Sequence, residues 1–191
     1  MGNVGKNVAQ IALHGFHMRV VYHSRTRKPE VEKEIGIEWA PSLSDLLKQS
    51  DVVTLHPPYG TETIGLIGTD EFKLMKKNAI LINIARPAIV DPKALHNALK
   101  KKLISGAAID GYYEEPIPSK VKDKFGLVEF PKEQLIITPH VAFNTDNSLV
   151  KMKDMFLSSI LAVFRNENEI PHLINPEYKN FARSQYPWRK K

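Results

Sequence analysis

Strands and helices alternate along this chain, and that alternation narrows what it can fold into more than any other feature. Short apolar runs at 18–22, 37–40, 52–55, 79–84, 106–109 and 135–137 read as strands, and 79–84 is almost wholly apolar. Helical patterns lie between most of them, at 3–13, 29–36, about 42–47, 69–76 and 91–102, and a long amphipathic helix is predicted over 146–165. Ser42 or Ser44 can cap the third of these, and Asp91 caps the fifth with Pro92 in its first turn. Gly15 is placed to stop the first as a left-handed residue, with Val4, Val8, Ile11 and Ala12 along one side. Such alternation predicts an α/β fold with a doubly wound, mostly parallel sheet. The stretch 111–133 is a long connection, and long loops in compact domains are often functional.

Met1-Gly2-Asn3-Val4-Gly5 fits the end of a G-x-G-x-x-G dinucleotide-binding loop. Gly2 and Gly5 match the second and third glycines, and Met1 stands where the spacer would be. The first strand of the nucleotide fold is therefore expected to be missing. Residues 1–165 are read as a dinucleotide-binding domain, incomplete at its N-terminus. Residues 166–191 carry prolines and little periodicity, and are expected to pack on an absent substrate domain or a partner.

Composition limits the alternatives. The chain has 191 residues, no cysteine, and a formal charge of 27 − 21 = +6. Without cysteine there are no disulfides and no thiolate chemistry, which fits a cytoplasmic protein. Apart from Lys100-Lys101-Lys102 and the terminal Arg189-Lys190-Lys191 the basic residues are scattered, so nucleic acid is not the expected partner. No apolar run approaches the ~20 residues of a membrane span, and no secretory leader is read at the N-terminus. The seven histidines show no metal-ligand spacing, and no metal is expected.

In doubly wound sheets ligands bind beyond the carboxyl ends of the strands. The polar residues there are His23, Ser24 and Arg25; His56; Arg86; Asp110 and Glu115; and His140. Arginine can grip a carboxylate with two parallel bonds and polarise an adjacent carbonyl. Histidine can exchange the hydroxyl proton near neutrality, and a nearby carboxylate can orient it. Arg86, Glu115 and His140 thus make a hydride-transfer set. Singly, each also fits a plainer role: a surface ion pair, a solvated loop glutamate, a strand terminator.

Four ordered motifs then carry a family resemblance. Residues 82–91, with Asn83-Ile84-Ala85-Arg86-Pro87, resemble the N-x-A-R-G-x-x-V-D signature of D-isomer-specific 2-hydroxyacid dehydrogenases, Pro87 standing where the signature has glycine. Gly106-Ala107-Ala108-Ile109-Asp110 with Glu115-Pro116 resembles their G-A-x-x-D-V-x-x-x-E-P segment, and Thr138-Pro139-His140-Val141-Ala142 their T-P-H-I-A. Residues 51–58 and 74–76 match as well, so the likeness runs from residue 1 to about 175. Phe143 resembles the D-lactate branch, and residues 22–27 the glyoxylate and hydroxypyruvate reductases.

The resemblance implies hydride transfer between a nicotinamide and a 2-keto or D-2-hydroxy acid, in a homodimer. It implies that Arg86 binds the substrate carboxylate and carbonyl, that His140 is the acid/base and that Glu115 holds it. Asp110 would contact the nicotinamide carboxamide. Gly2, Asn3 and Val4 would lie under the pyrophosphate, and Pro57 and Ala85 would also face the cofactor. A non-catalytic cofactor-binding remnant or interaction module is the competing class. NAD-specific members carry a carboxylate about 20 residues after the glycine loop. Here that place is His23 or Ser24, followed by Arg25, Thr26 and Arg27. NADP(H) is expected to be preferred, with NAD(H) possible and Arg25 as the discriminator.

Overall fold

The computed structural model describes residues 1–165 and 169–172. The chain divides into two compact units, Met1–Ala142 and Phe143–Lys191. In the first, every strand is parallel to its neighbour, as the alternation predicts. Strands β1 (Val21–Tyr22) and β2 (Glu38–Trp39) pair with each other, Val21 opposite Glu38 and Tyr22 opposite Trp39. Strands β3 (Val52–Leu55), β4 (Ile80–Asn83), β5 (Gly106–Asp110) and β6 (Leu135–Thr138) form a four-stranded sheet in that order. Among the described residues β1 and β3 do not pair, so the strands form two sheets instead of one. β1 and β2 are shorter than the apolar runs that predict them. Each has only the other as a ladder partner, and the pairing extends by one bond at each end, Glu38 N–H to Val20 O at 2.9 Å and Ala40 N–H to Tyr22 O at 2.8 Å.

Helices α2 (Pro29–Ile35), α4 (Thr69–Leu74) and α5 (Pro92–Lys100) make crossovers between paired parallel strands, and α3 (Leu43–Gln49) links β2 to β3. Their ends follow from local chemistry. Ser42, not Ser44, caps α3, its Oγ accepting from Asp45 N–H at 3.0 Å. Asp91 caps α5 through Ala94 N–H at 2.7 Å, with Pro92 inside the first turn. α3–α5 supply Leu47, Phe72, Leu95 and Leu99 to the main core. There they meet Val53, Leu55, Leu81, Ala107, Ile109 and Leu135 of the four-stranded sheet. The alternate residues point the other way, and Val52, Ile80 and Ile136 are 40%, 42% and 52% exposed. One face of this sheet is therefore core, and the other carries exposed and half-buried residues.

Helix α1 departs from expectation at its end. It is α-helical over Asn3–Gln10, then widens into a π-turn over Ile11–Gly15. His17, not Gly15, takes the left-handed conformation at φ 52°. The wider turn carries the chain past Gly15 before it stops, and Met18 N–H closes back on Ala12 O at 3.0 Å. Gly5 and Ala9 are its buried residues, whereas Val4 and Ile11 are exposed. Of the expected apolar side, Val8 and Ala12 are half-buried.

In the second unit, α6 (Asp146–Phe164) starts at Thr145, whose Oγ1 accepts from Ser148 N–H at 3.2 Å. Val150, Phe156, Leu157 and Leu161 on it are exposed. Of the extension expected at 166–191, all but 169–172 lies outside the described residues. No helix among the described residues is long and apolar enough to cross a membrane.

Candidate active site

The carboxyl end of β4 turns on Asn83, a buried polar residue in an apolar strand. Its Nδ2 donates to Arg86 O at 2.8 Å and its Oδ1 accepts from Ala85 N–H at 3.1 Å. That clamp closes the turn presenting Arg86, whose exposed side chain donates from Nη1 to Ala85 O at 2.8 Å. Pro87 opens a 3₁₀ turn, Pro87–Ile89. At such a position no helical bond needs its missing N–H, and its fixed φ suits the turn. Arg86, Pro87 and Ala88 line a cavity of about 240 Å³ with Tyr59, Tyr112 and Tyr113.

The end of β5 meets the end of β6 through Asp110, 6% exposed. Its Oδ1 accepts from Thr138 Oγ1 at 2.6 Å and from Val141 N–H at 2.8 Å, and its Oδ2 from Ala142 N–H at 2.8 Å. Burial alone would raise the carboxyl, but these bonds together hold it below its ordinary range. Asp110 therefore anchors the turn carrying His140. The backbone there is left-handed, His140 standing at φ 57° with its N–H on Thr138 O at 2.9 Å. His140 Nδ1 lies 3.1 Å from Glu115 Oε1, and both side chains are partly exposed.

Gly111 shows how near these pieces are to one another. A Cβ placed on it would stand 3.2 Å from Glu115 Oε1, 3.4 Å from Pro87 Cγ and 3.6 Å from His140 Cγ. The Glu115–His140 pair thus meets the Arg86 turn around one bare Cα. The long loop after Gly111 is itself pinned. Asp123 accepts from Tyr112 Oη at 2.6 Å, Phe125 N–H at 3.0 Å and Val128 N–H at 2.8 Å, and Tyr113 Oη donates to Val90 O at 2.9 Å.

The expected cofactor residues lie at the start of α1 and past β1, β3 and β4. Gly2 is the N-cap of α1 in extended conformation, and the first turn has no acidic side chain. The first N–H groups of a helix have no intrahelical acceptor, so those of Asn3 and Val4 suit a phosphate. Gly5 is buried, and a Cβ there would stand 3.4 Å from Met1 Cγ and 3.6 Å from His56 Cβ. The helix start therefore comes close to the end of β3, where Pro57 follows. His56 is half-buried and its imidazole is pushed down by burial, its Nε2 lying 2.9 Å from Thr54 Oγ1. Ser24 Oγ donates to Thr26 O at 2.7 Å, and Arg25 Nη1 donates to Glu62 Oε1 at 2.9 Å. These donors, with no carboxylate among the helix-start residues, fit a dinucleotide. Among the described residues no group of three or more His, Asp or Glu is arranged to hold a metal ion.

Sequence reasoning singled out Arg86, Glu115 and His140 but assigned no part to Asn83, Gly111, Thr138 or Glu62. A buried asparagine ending an apolar strand was the one local signal among them.

Parallel strands whose ends gather a glycine-led helix start, an arginine and a Glu–His pair define an α/β nucleotide-binding domain of the oxidoreductase kind. Residues 1–142 match the profile of the D-isomer specific 2-hydroxyacid dehydrogenase, NAD binding domain, and the chain belongs to that family. It is 42% identical over 177 residues to the glyoxylate reductase of Aeropyrum pernix, covering 93% of this chain and 50% of that protein. A crystal structure of a protein from Thermus thermophilus superposes with a TM-score of 0.77 at 37% identity, covering 91% of this chain and 51% of that one. The D-lactate dehydrogenase of Lactobacillus jensenii, solved with NAD+, gives 0.76 at 31% identity, with 88% and 52% covered. The chain spans about half the length of the curated relatives it matches.

Proposed function

We propose that this chain is the nucleotide-binding part of a 2-keto acid reductase, acting on glyoxylate, hydroxypyruvate or a D-lactate-type substrate. The observation that carries the reading is the 3.1 Å contact of His140 Nδ1 with Glu115 Oε1, meeting the Arg86 turn at Gly111. Arg86 grips the substrate carboxylate and polarises the neighbouring carbonyl. His140 gives the carbonyl oxygen its proton from Nε2, since Nδ1 is turned to Glu115. Glu115 holds the ring in that orientation, and Asp110 anchors the turn that bears it while bordering the nicotinamide side. When bound, the nicotinamide supplies the hydride. Gly2, Asn3 and Val4 hold the pyrophosphate, and Pro57 and Ala85 border the cofactor.

NADP(H) is preferred over NAD(H) in this reading. Arg25, with Ser24 and Thr26 beside it, supports that preference, since an arginine binds a 2′-phosphate and a carboxylate repels it. Glu62 now holds Arg25 and would have to release it. Residues 1–165 act as the dinucleotide-binding domain. The protein works as a cytoplasmic homodimer, which the exposed apolar residues of α6 and the absence of cysteine support. A cofactor-binding module without turnover is the second reading, favoured by the lack of pairing between β1 and β3 among the described residues.

The test assays NADPH-dependent reduction of glyoxylate, hydroxypyruvate and pyruvate by this chain and by the longest reading frame of its gene. Turnover by the longer form that vanishes in His140→Ala supports the reductase. Cofactor binding without turnover in either form supports the module.

A further inference from the structure

Two arginines flank Thr26, and the structure puts them to different uses. Arg25 reaches away from its own loop to Glu62, and its side chain is 79% exposed. Arg27 folds back onto the elements beside it. Its Nε donates to Glu32 Oε1 at 3.0 Å and its Nη2 to Glu32 Oε2 at 2.8 Å, a two-pronged grip on helix α2. Its guanidinium also lies over the ring of Trp39 on β2, 5.0 Å from the centroid. The Glu32 side chain is only 15% exposed and has a second partner in Tyr22, the buried last residue of β1. Tyr22 Oη donates to Glu32 Oε1 at 2.8 Å and accepts from Lys28 N–H at 2.7 Å. The chain thus leaves β1 at Tyr22 and is tied back to that hydroxyl at Lys28. Between these points His23 Nδ1 stands 3.0 Å from Ala40 O, and Ser24 Oγ donates to Thr26 O at 2.7 Å.

We infer that Tyr22, Arg27, Glu32 and Trp39 form a buckle that closes residues 23–28 into a loop presenting Ser24, Arg25 and Thr26 to the cofactor, and that Arg27 does not itself bind a 2′-phosphate. The relative costs separate the two arginines. Arg25 would give up one exposed ion pair, which contributes little. Arg27 would give up both prongs and its seat on the Trp39 ring, and would leave a half-buried carboxylate without its cation. The four buckle residues are positioning residues. The inference rests on the reading that the 24–26 segment recognises NADP(H), and its test needs no turnover.

The test uses Glu32→Gln, which keeps the size of the side chain but removes the charge that holds Arg27, and Tyr22→Phe, which cuts the tie to Lys28 N–H. The chain has two tryptophans, so acrylamide quenching in a Trp188→Phe background reads Trp39 alone. Calorimetric titration with adenosine 2′,5′-bisphosphate and with 5′-AMP, on this chain and on the longest reading frame of its gene, reads the 2′-phosphate. Both variants are expected to raise Trp39 quenching and to weaken bisphosphate binding about fivefold, with AMP little changed. An Arg27 that bound the phosphate directly would be freed by Glu32→Gln, so unchanged or tighter bisphosphate binding in that variant would overturn the inference. Trp39 quenching unchanged in both variants, with a clear wild-type preference for the bisphosphate, would reject this inference alone. Raised quenching in both variants, with a wild type that binds the bisphosphate no better than AMP, would reject the NADP(H) reading while the loop closure stands.

Discussion

Replacing Asp110 by asparagine tests how the His140 turn is held. The carboxylate accepts three bonds, two on Oδ1 and one on Oδ2. Asparagine keeps one acceptor oxygen, so its amide nitrogen must face a donor. The less costly arrangement keeps Thr138 and Val141 on the oxygen and sets Nδ2 against the Ala142 N–H. One bond is lost, that N–H loses its acceptor, and the two surviving bonds lose the help of the charge. Bonds to charged groups contribute about 1.5–3 kcal/mol and an unsatisfied buried group costs about 1–3 kcal/mol, so a net loss of about 2–3 kcal/mol at pH 7 follows. In a domain of this size that lowers the melting temperature by roughly 5–10 °C.

The pH dependence has a definite sign. Asp110 is held below its ordinary range in the folded protein. Its contribution is therefore fully present above the unfolded carboxyl value of about 4, and is lost as pH falls through the lower, folded value. Urea unfolding of wild type and Asp110→Asn from pH 7 downward should give a gap that is constant to about pH 5 and narrows below about pH 4. A gap under about 0.5 kcal/mol at pH 7, or one that widens in acid, would refute the anchoring argument.

Three further outcomes are expected. Asn83→Ala strips Arg86 O and Ala85 N–H of their buried partner, and should cost about 2 kcal/mol in urea unfolding while loosening the Arg86 turn. Arg25→Ala should weaken NADPH binding about tenfold, the loss of a modest charged contact, with NADH unchanged, whereas Glu62→Gln, which releases Arg25, should tighten NADPH; calorimetric titration with both cofactors decides. In a form of the protein with measurable turnover, His140→Ala should lower kcat by about 10²–10⁴ and Arg86→Ala should damage both KM and kcat, while Glu115→Gln should lower kcat with little change in KM; steady-state kinetics at several pH values separates the three.

What the sequence alone determined is what short-range physics encodes. Runs such as Val52–Leu55 are strands because β-branched residues suit a pleated surface and the alternate Val53 and Leu55 reach the core, and Asp91-Pro92 starts a helix because the Asp91 carboxylate caps the Ala94 N–H. Arg86, Glu115 and His140 were legible because they follow strands within recognisable motifs. Tertiary structure decided the rest, because it depends on which strand ends lie side by side. Asp110 meets Thr138, Val141 and Ala142 across 28, 31 and 32 residues, a meeting set by the register of β5 against β6. The hold of Glu62 on Arg25 spans 37 residues and gives no local sign of itself. At the end of α1 the local rule named the wrong residue. Gly15 can adopt a left-handed turn at little cost, but the widened helix carries the chain past it, and His17 takes that conformation instead. Gly111 reads locally as a loop glycine, and only the structure shows that it stands at φ 95°, with Glu115 Oε1 3.2 Å from where its Cβ would be.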